Sequence, residues 1–142
     1  MLSRLAGPDD ERLRWSFAVG VLGVSDVVVC GHSQCGAMGA LLQPPEQLAD
    51  MPHLREWLAL MAPVETTLRE RYGHLTAPEA RANAAAQENV LFALENLRTY
   101  PLLKARLAGG ELHLHGWFFK IATAELFAYD PDGLQFTSLA AP

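Results

Sequence analysis

Three consecutive valines running into a glycine, a histidine and a second cysteine constrain this chain most, in the stretch "VVVCGHSQCGAMGALL" from Val27 to Leu42. β-Branched residues crowd a helix and suit a pleated surface. "VSDVVVC", Val24 to Cys30, is short and apolar over its second half, the pattern of a strand buried on both faces in a parallel sheet. A turn follows at Gly31. Gly36 to Leu42 then reads as a helix of small residues and leucines, which Pro44-Pro45 ends. Strand, loop and helix in immediate succession put the loop at the carboxyl end of a strand, where open α/β sheets hold their ligands.

The flanking sequence continues the alternation. Asp9 and Asp10 are acidic capping candidates before "ERLRWSFAVGVLG", a helix with Leu13, Phe17, Val21 and Leu22 at helical spacing and Gly23 as its stop. Pro52 and Pro63 stand at the first turns of "PHLREWLALM" and "PVETTLRERYG", two surface helices with one buried stripe each. Thr76 to Glu79 has capping-box spacing with proline at N2, ahead of a long helix to about Tyr100 whose buried side is Val90, Leu91, Leu94 and Leu97. Pro101 turns the chain into "LLKARLAGG". "ELHLHGWFFKIATAELFAYDPDG" alternates and is aromatic-rich, which predicts two strands, about 112–120 and 125–129, closed by the "DPDG" turn. The expected fold is α/β: a single domain over residues 1–142, with a mainly parallel β-sheet flanked by helices and a C-terminal antiparallel hairpin.

At 142 residues, 50% of them apolar, the chain has material for one core. A net charge of -5 argues against a surface that grips nucleic acid or anionic lipid, which needs clustered Lys and Arg. No apolar run reaches the roughly 18 residues of a membrane span. "MLSRLAGPDDERLR" lacks the apolar core of a secretion signal, so the expected location is cytoplasmic. In that reducing compartment, a close pair of cysteines points to metal binding or redox chemistry rather than a disulfide framework.

His32 and Cys35 supply an imidazole nitrogen and a thiolate sulfur from one tight loop, two of the three protein donors that a catalytic zinc site uses. The helix beginning near Gly36 directs its free amides toward an anion held there. The competing reading is a buried cysteine and a turn histidine. Cys30 would complete a set of two sulfurs and one nitrogen, acceptable to zinc by softness and count; against it stands packing as a small apolar group while tied into the strand. His113 and His115 alternate onto one strand face and read as a packed or hydrogen-bonded pair rather than a metal site. His53 and His74 read as surface residues, Trp15 and Trp57 as core or subunit contacts, and Arg55, Arg69 and Arg71 as a solvated face.

"FAVGVLGVSDVVVCGHSQCGAMGALL" resembles the β-class carbonic anhydrases, whose helix, strand and Cys-Gly-His-x-x-Cys-Gly loop run in this order. "HLHGWFFKIATAELFAYDPDG" resembles that family's His-Gly-Trp strand and closing hairpin. The resemblance implies Zn2+ as cofactor, His32 and Cys35 as two zinc ligands, and Gly36 as the residue whose backbone amide faces zinc-bound solvent and substrate. Cys30 matches a position commonly cysteine without being a ligand. The implied activity is reversible hydration of carbon dioxide to bicarbonate, by a homo-oligomer, dimer or tetramer, with neither nucleic acid nor membrane as partner. The family takes its third protein ligand from a Cys-x-Asp-x-Arg segment on an earlier strand, and its Asp-Arg pair positions the water. No such segment occurs in this sequence. The resemblance therefore implies an N-terminally truncated domain with an incomplete ligand set and impaired catalysis, whether a natural truncation or a late start. The alternative is a non-catalytic relative with an interaction or regulatory role.

Overall fold

The computed structural model describes residues 8–139, with side chains from residue 12 onward. The opening seven residues of the stretch inspected for a secretion signal lie outside the described residues. Six α-helices occur among the described residues: α1 (Pro8–Trp15), α2 (Gly36–Leu41), α3 (Pro52–Ala59), α4 (Ala62–Arg71), α5 (Pro78–Arg98) and α6 (Pro101–Ala108). The strands are β1 (Asp26–His32), β2 (His113–Lys120), β3 (Glu125–Asp130) and β4 (Gln135–Ser138), hydrogen-bonded in the order β1-β2-β3-β4. No helix among them is long and apolar enough to cross a membrane.

Contacts group the chain into two compact units. The first runs up to Val28 and takes in Leu94–His115. Its helix begins at Pro8, so Asp9 and Asp10 fall inside the first turn instead of before it. After Trp15 the chain widens into a π-helical turn, Ser16–Val21, where the Leu22 N–H reaches the Phe17 carbonyl five residues back at 2.9 Å. Gly23, at φ 66°, ends it, a left-handed conformation that glycine adopts without steric cost. The wide turn defeats a 3.6-residue period: Val19 is buried, at 1% exposure, with Trp15 and Ala18 half-buried beside it in sequence. Leu13, Phe17 and Val21 stay open to solvent at 65%, 54% and 71%. Among the described residues of this unit, Leu94, Leu97, Leu103 and Leu112 are the other buried apolar side chains.

The second unit comprises Val29–Ala93 and the chain from Gly116 onward. Its core gathers Met38 of α2, Val64 and Leu68 of α4, Ala84, Ala85 and Ala86 of α5, and Phe118 of β2. Pro52 and Pro63 lie in the first turns of α3 and α4, where a missing N–H costs nothing. Pro78 starts α5 one residue later than the capping-box spacing predicts. Val90, Leu94 and Leu97 are buried along α5 as expected, and Leu91 is half-buried. His53, Arg55, Arg69, Arg71 and His74 are exposed, as is Trp57.

The sheet is mixed. The Ser25 carbonyl accepts from the His113 N–H and the Ser33 N–H donates to the Phe119 carbonyl, so β1 and β2 advance in the same direction. The pairs β2–β3 and β3–β4 are antiparallel, with Phe118 opposite Phe127 and Tyr129 opposite Phe136. The "DPDG" turn joins β3 to β4 rather than closing the two expected strands. β4 is an additional strand, too short and polar to stand out by alternation. Nor is β1 buried on both faces. Exposed and half-buried positions alternate along it. On one face a Cβ placed on Gly31 would stand 2.8 Å from Val90 Cγ2 and 3.1 Å from the Ala86 carbonyl oxygen, so α5 covers that face. Val28, Cys30 and His32 occupy the open one.

Candidate functional site

β1 runs one residue beyond the expected turn at Gly31 and ends on His32. Reversal follows at Ser33 and Gln34. Gln34 adopts φ 57°, a left-handed conformation that costs a residue with a Cβ roughly 1–2 kcal/mol and is found where surrounding bonds enforce it. Cys35 returns to extended backbone (φ -71°, ψ 111°) and caps α2, its carbonyl accepting the Gly39 N–H at 2.9 Å.

Ser33 is buried, at 4% exposure. Its N–H donates to the Phe119 carbonyl and its Oγ accepts the Ile121 N–H, each at 2.9 Å. Its carbonyl lies 2.8 Å from His32 Nδ1. A carbonyl only accepts, so Nδ1 carries the proton and Nε2 of the neutral ring keeps its lone pair free. That is the arrangement in which a metal-ligating histidine is oriented by a second hydrogen bond.

Cys35 is half-buried and packs against the core formed around Met38 and Phe118. Gly36 opens α2, and a Cβ built there meets nothing within 4 Å. Cys30 is exposed instead of packed as an apolar group, and its thiol lies 3.4 Å from the Gly31 carbonyl. Among the described residues no three of His, Cys, Asp and Glu come together as a set able to hold a metal ion, so Cys30, His32 and Cys35 are not gathered into one. The donor chemistry fits zinc as a pair: a neutral imidazole with its tautomer fixed, and a thiol that binds as thiolate. Sequence reasoning missed Ser33 and Gln34, because a serine in a loop is common and glutamine has no preference for positive φ.

Of the two strand histidines, His115 has a hydrogen-bonding role. His115 Nε2 lies 2.8 Å from Asp26 Oδ1, and Ser25 Oγ donates to Asp26 Oδ2 at 2.6 Å. The Ser25 hydrogen bond, then that of His115, holds the Asp26 carboxyl below its ordinary value of 3.8. A depressed carboxyl stabilises the fold above its unfolded pKa, and this contribution is lost as pH falls through the folded one. The melting difference between the wild type and Asp26→Asn should therefore hold steady at neutral pH and shrink below about pH 3.8. A difference that persists or grows as the pH falls below 3.8 would contradict the assignment.

A family model described as carbonic anhydrase matches residues 13–126. The chain is 38% identical over 120 residues to a carbonic anhydrase of Synechocystis, covering 84% of this chain and 43% of that protein. It is 40% identical over 124 residues to a carbonic anhydrase of Pseudomonas aeruginosa, covering 87% of this chain and 55% of the relative. The chain thus spans about half the length of these curated relatives. Among solved structures, the β-carbonic anhydrase CcaA superposes with a TM-score of 0.86 at 34% identity, over 94% of this chain and 64% of that one. A tetrameric β-carbonic anhydrase of Sordaria macrospora shares the fold at a TM-score of 0.75 and 24% identity, over 96% and 62%. From residue 13 to residue 126, across the His32–Cys35 loop and the strands that carry it, this chain belongs to the carbonic anhydrase family, in its β-class.

Proposed function

We propose that this chain carries the zinc-binding loop of an enzyme that hydrates carbon dioxide reversibly to bicarbonate. The observation that carries the reading is the bond from His32 Nδ1–H to the Ser33 carbonyl, which leaves Nε2 as a donor three residues from the Cys35 thiol. His32 and Cys35 hold the ion, and the Gly36 amide at the start of α2 faces substrate. Zinc, when bound, supplies the acidity that makes hydroxide available near neutral pH. The open space over Gly36 supports an approach to its amide that a larger side chain would narrow. Free thiols at Cys30 and Cys35 agree with a cytoplasmic setting.

Two donors are fewer than a catalytic zinc site takes from protein. In this reading the third, with the Asp-Arg pair that positions water, comes from a Cys-x-Asp-x-Arg segment outside residues 1–142. The apolar row Leu13, Phe17 and Val21, exposed on a helix that already buries Val19, supports a homo-oligomer. Stopped-flow hydration by residues 1–142 should barely exceed background, and should rise by orders of magnitude when a segment with that motif precedes Met1. Light scattering of the same samples should give masses above 15.5 kDa. Zinc-dependent turnover by the short chain would overturn the incomplete-site reading. Inactivity of the joined protein, with zinc bound, would favour a non-catalytic relative, the reading that the lack of a three-donor group among the described residues also supports.

A further inference from the structure

We propose that His113 and His115 form a second, exchangeable site for a borderline transition-metal ion, Cu2+, Ni2+ or Zn2+, with Asp26 as the residue that orients the His115 ring. The inference uses no group of the His32–Cys35 loop and stands whatever that loop holds.

One residue separates the two histidines on β2, so their side chains leave the same face of the strand about 6.6 Å apart. Two imidazoles, with metal–nitrogen bonds of about 2.0–2.1 Å added, close that span around one ion. His113 is exposed and the His115 side chain is 42% exposed, so solvent reaches the coordination positions that the protein leaves open. The His115 ring is already held. Its Nε2 lies 2.8 Å from Asp26 Oδ1, while Ser25 Oγ donates to Asp26 Oδ2 at 2.6 Å. That chain of bonds uses one ring nitrogen and leaves the other, Nδ1, for the ion. A carboxylate behind a ligating histidine is the arrangement that fixes ring orientation in metal sites. Both Asp26 oxygens are engaged, so it supports the site without being a third donor, in keeping with the lack of a three-donor group among the described residues. Two imidazoles favour Cu2+, Ni2+ and Zn2+ over Mg2+ and Ca2+, which take oxygen. With only two protein donors, the ion is held loosely enough to exchange.

The test is calorimetric titration with Ni2+ of the metal-free full chain carrying Cys35→Ser, which removes the thiol of the other loop. Ni2+ is the probe because free thiols reduce Cu2+, and Cys30 remains. One equivalent should bind, and the melting midpoint should rise with Ni2+ concentration, as it does for a ligand that binds only the folded state. His113→Gln and His115→Gln should each abolish both effects. Asp26→Ala should weaken binding about 10- to 100-fold, and Asp26→Asn, whose amide oxygen still accepts a hydrogen bond, should recover part of the loss. A residue that only stabilised the fold would show no such graded loss and recovery. Should either His115→Gln or Asp26→Ala fail to fold, line broadening by paramagnetic Ni2+ decides: the ring signals of His113 and His115 should broaden before those of His32, His53 and His74. No uptake, uptake that survives His113→Gln, or broadening centred on another histidine overturns the proposal. Unchanged affinity in Asp26→Ala overturns the orienting role given to the carboxylate.

Discussion

Cys35→Ser should abolish zinc uptake by this chain, whereas Cys30→Ser should leave it within about twofold, motif for motif the same substitution with opposite outcomes. Both cysteines are free, but their settings differ. Cys35 stands after the reversal at Gln34, half-buried against the core, where little further ordering is needed before it binds. Cys30 lies exposed on the open face of β1, its thiol beside the Gly31 carbonyl. A serine hydroxyl stays protonated at neutral pH and replaces a thiolate poorly as a zinc ligand. The wild type should itself carry zinc weakly or below one equivalent, because it presents two donors. Metal analysis of the three purified proteins decides: full occupancy that disappears equally in both variants would establish Cys30 as a ligand.

Gly31→Ala should destabilise the fold by about 1–3 kcal/mol, the usual cost of overpacking, and Gly31→Val by more. The added Cβ would stand 2.8 Å from Val90 Cγ2 and 3.1 Å from the Ala86 carbonyl oxygen, the first on a buried β-branched side chain and the second on the backbone of the same 21-residue helix, and neither turns aside readily. Relief requires β1 to move off α5. The melting midpoint should fall roughly 2–4 °C per kcal/mol in a chain of about this size. Gly36→Ala is the matched comparison, since its Cβ meets nothing within 4 Å and alanine favours the helix it opens. One glycine is thus required by packing and the other, in the proposed function, by access. A Gly31→Ala protein that melts with the wild type would show that strand and helix do not approach so closely.

The elements that sequence reasoning located are those with a strong local cause. Prolines at 52 and 63 marked helix starts, Gly23 marked a stop, and the valines of β1 marked a strand. What it misjudged depended on partners. Leu13, Phe17 and Val21 have helical spacing, yet the π-helical turn and the apolar character of Trp15, Ala18 and Val19 put the opposite side inward. Val27 to Val29 read as doubly buried because every residue is apolar, but α5 covers a single face. β4 pairs residue by residue with β3, and four residues of "QFTS" carry no alternation of their own. Within the site, His32 and Cys35 were visible as donors; the serine whose carbonyl meets one of them makes two further hydrogen bonds that no local pattern encodes.

The parallel join between β1 and β2 has a consequence for the order in which the molecule is made. Ser33 meets Ile121 across 88 positions of chain, while Thr137 meets Ala128 across 9. Loop closure over the longer span costs about 2 kcal/mol more. Pairings so distant form slowly beside a meander whose strands follow one another. On the ribosome, the acceptor for the Ser33 N–H and the donor to its hydroxyl emerge only after five α-helices have already been synthesised between them. His32 and Cys35, early in the sequence, are therefore held in their final arrangement late, and an ion that reaches the nascent chain sooner meets two flexible side chains instead of a shaped loop.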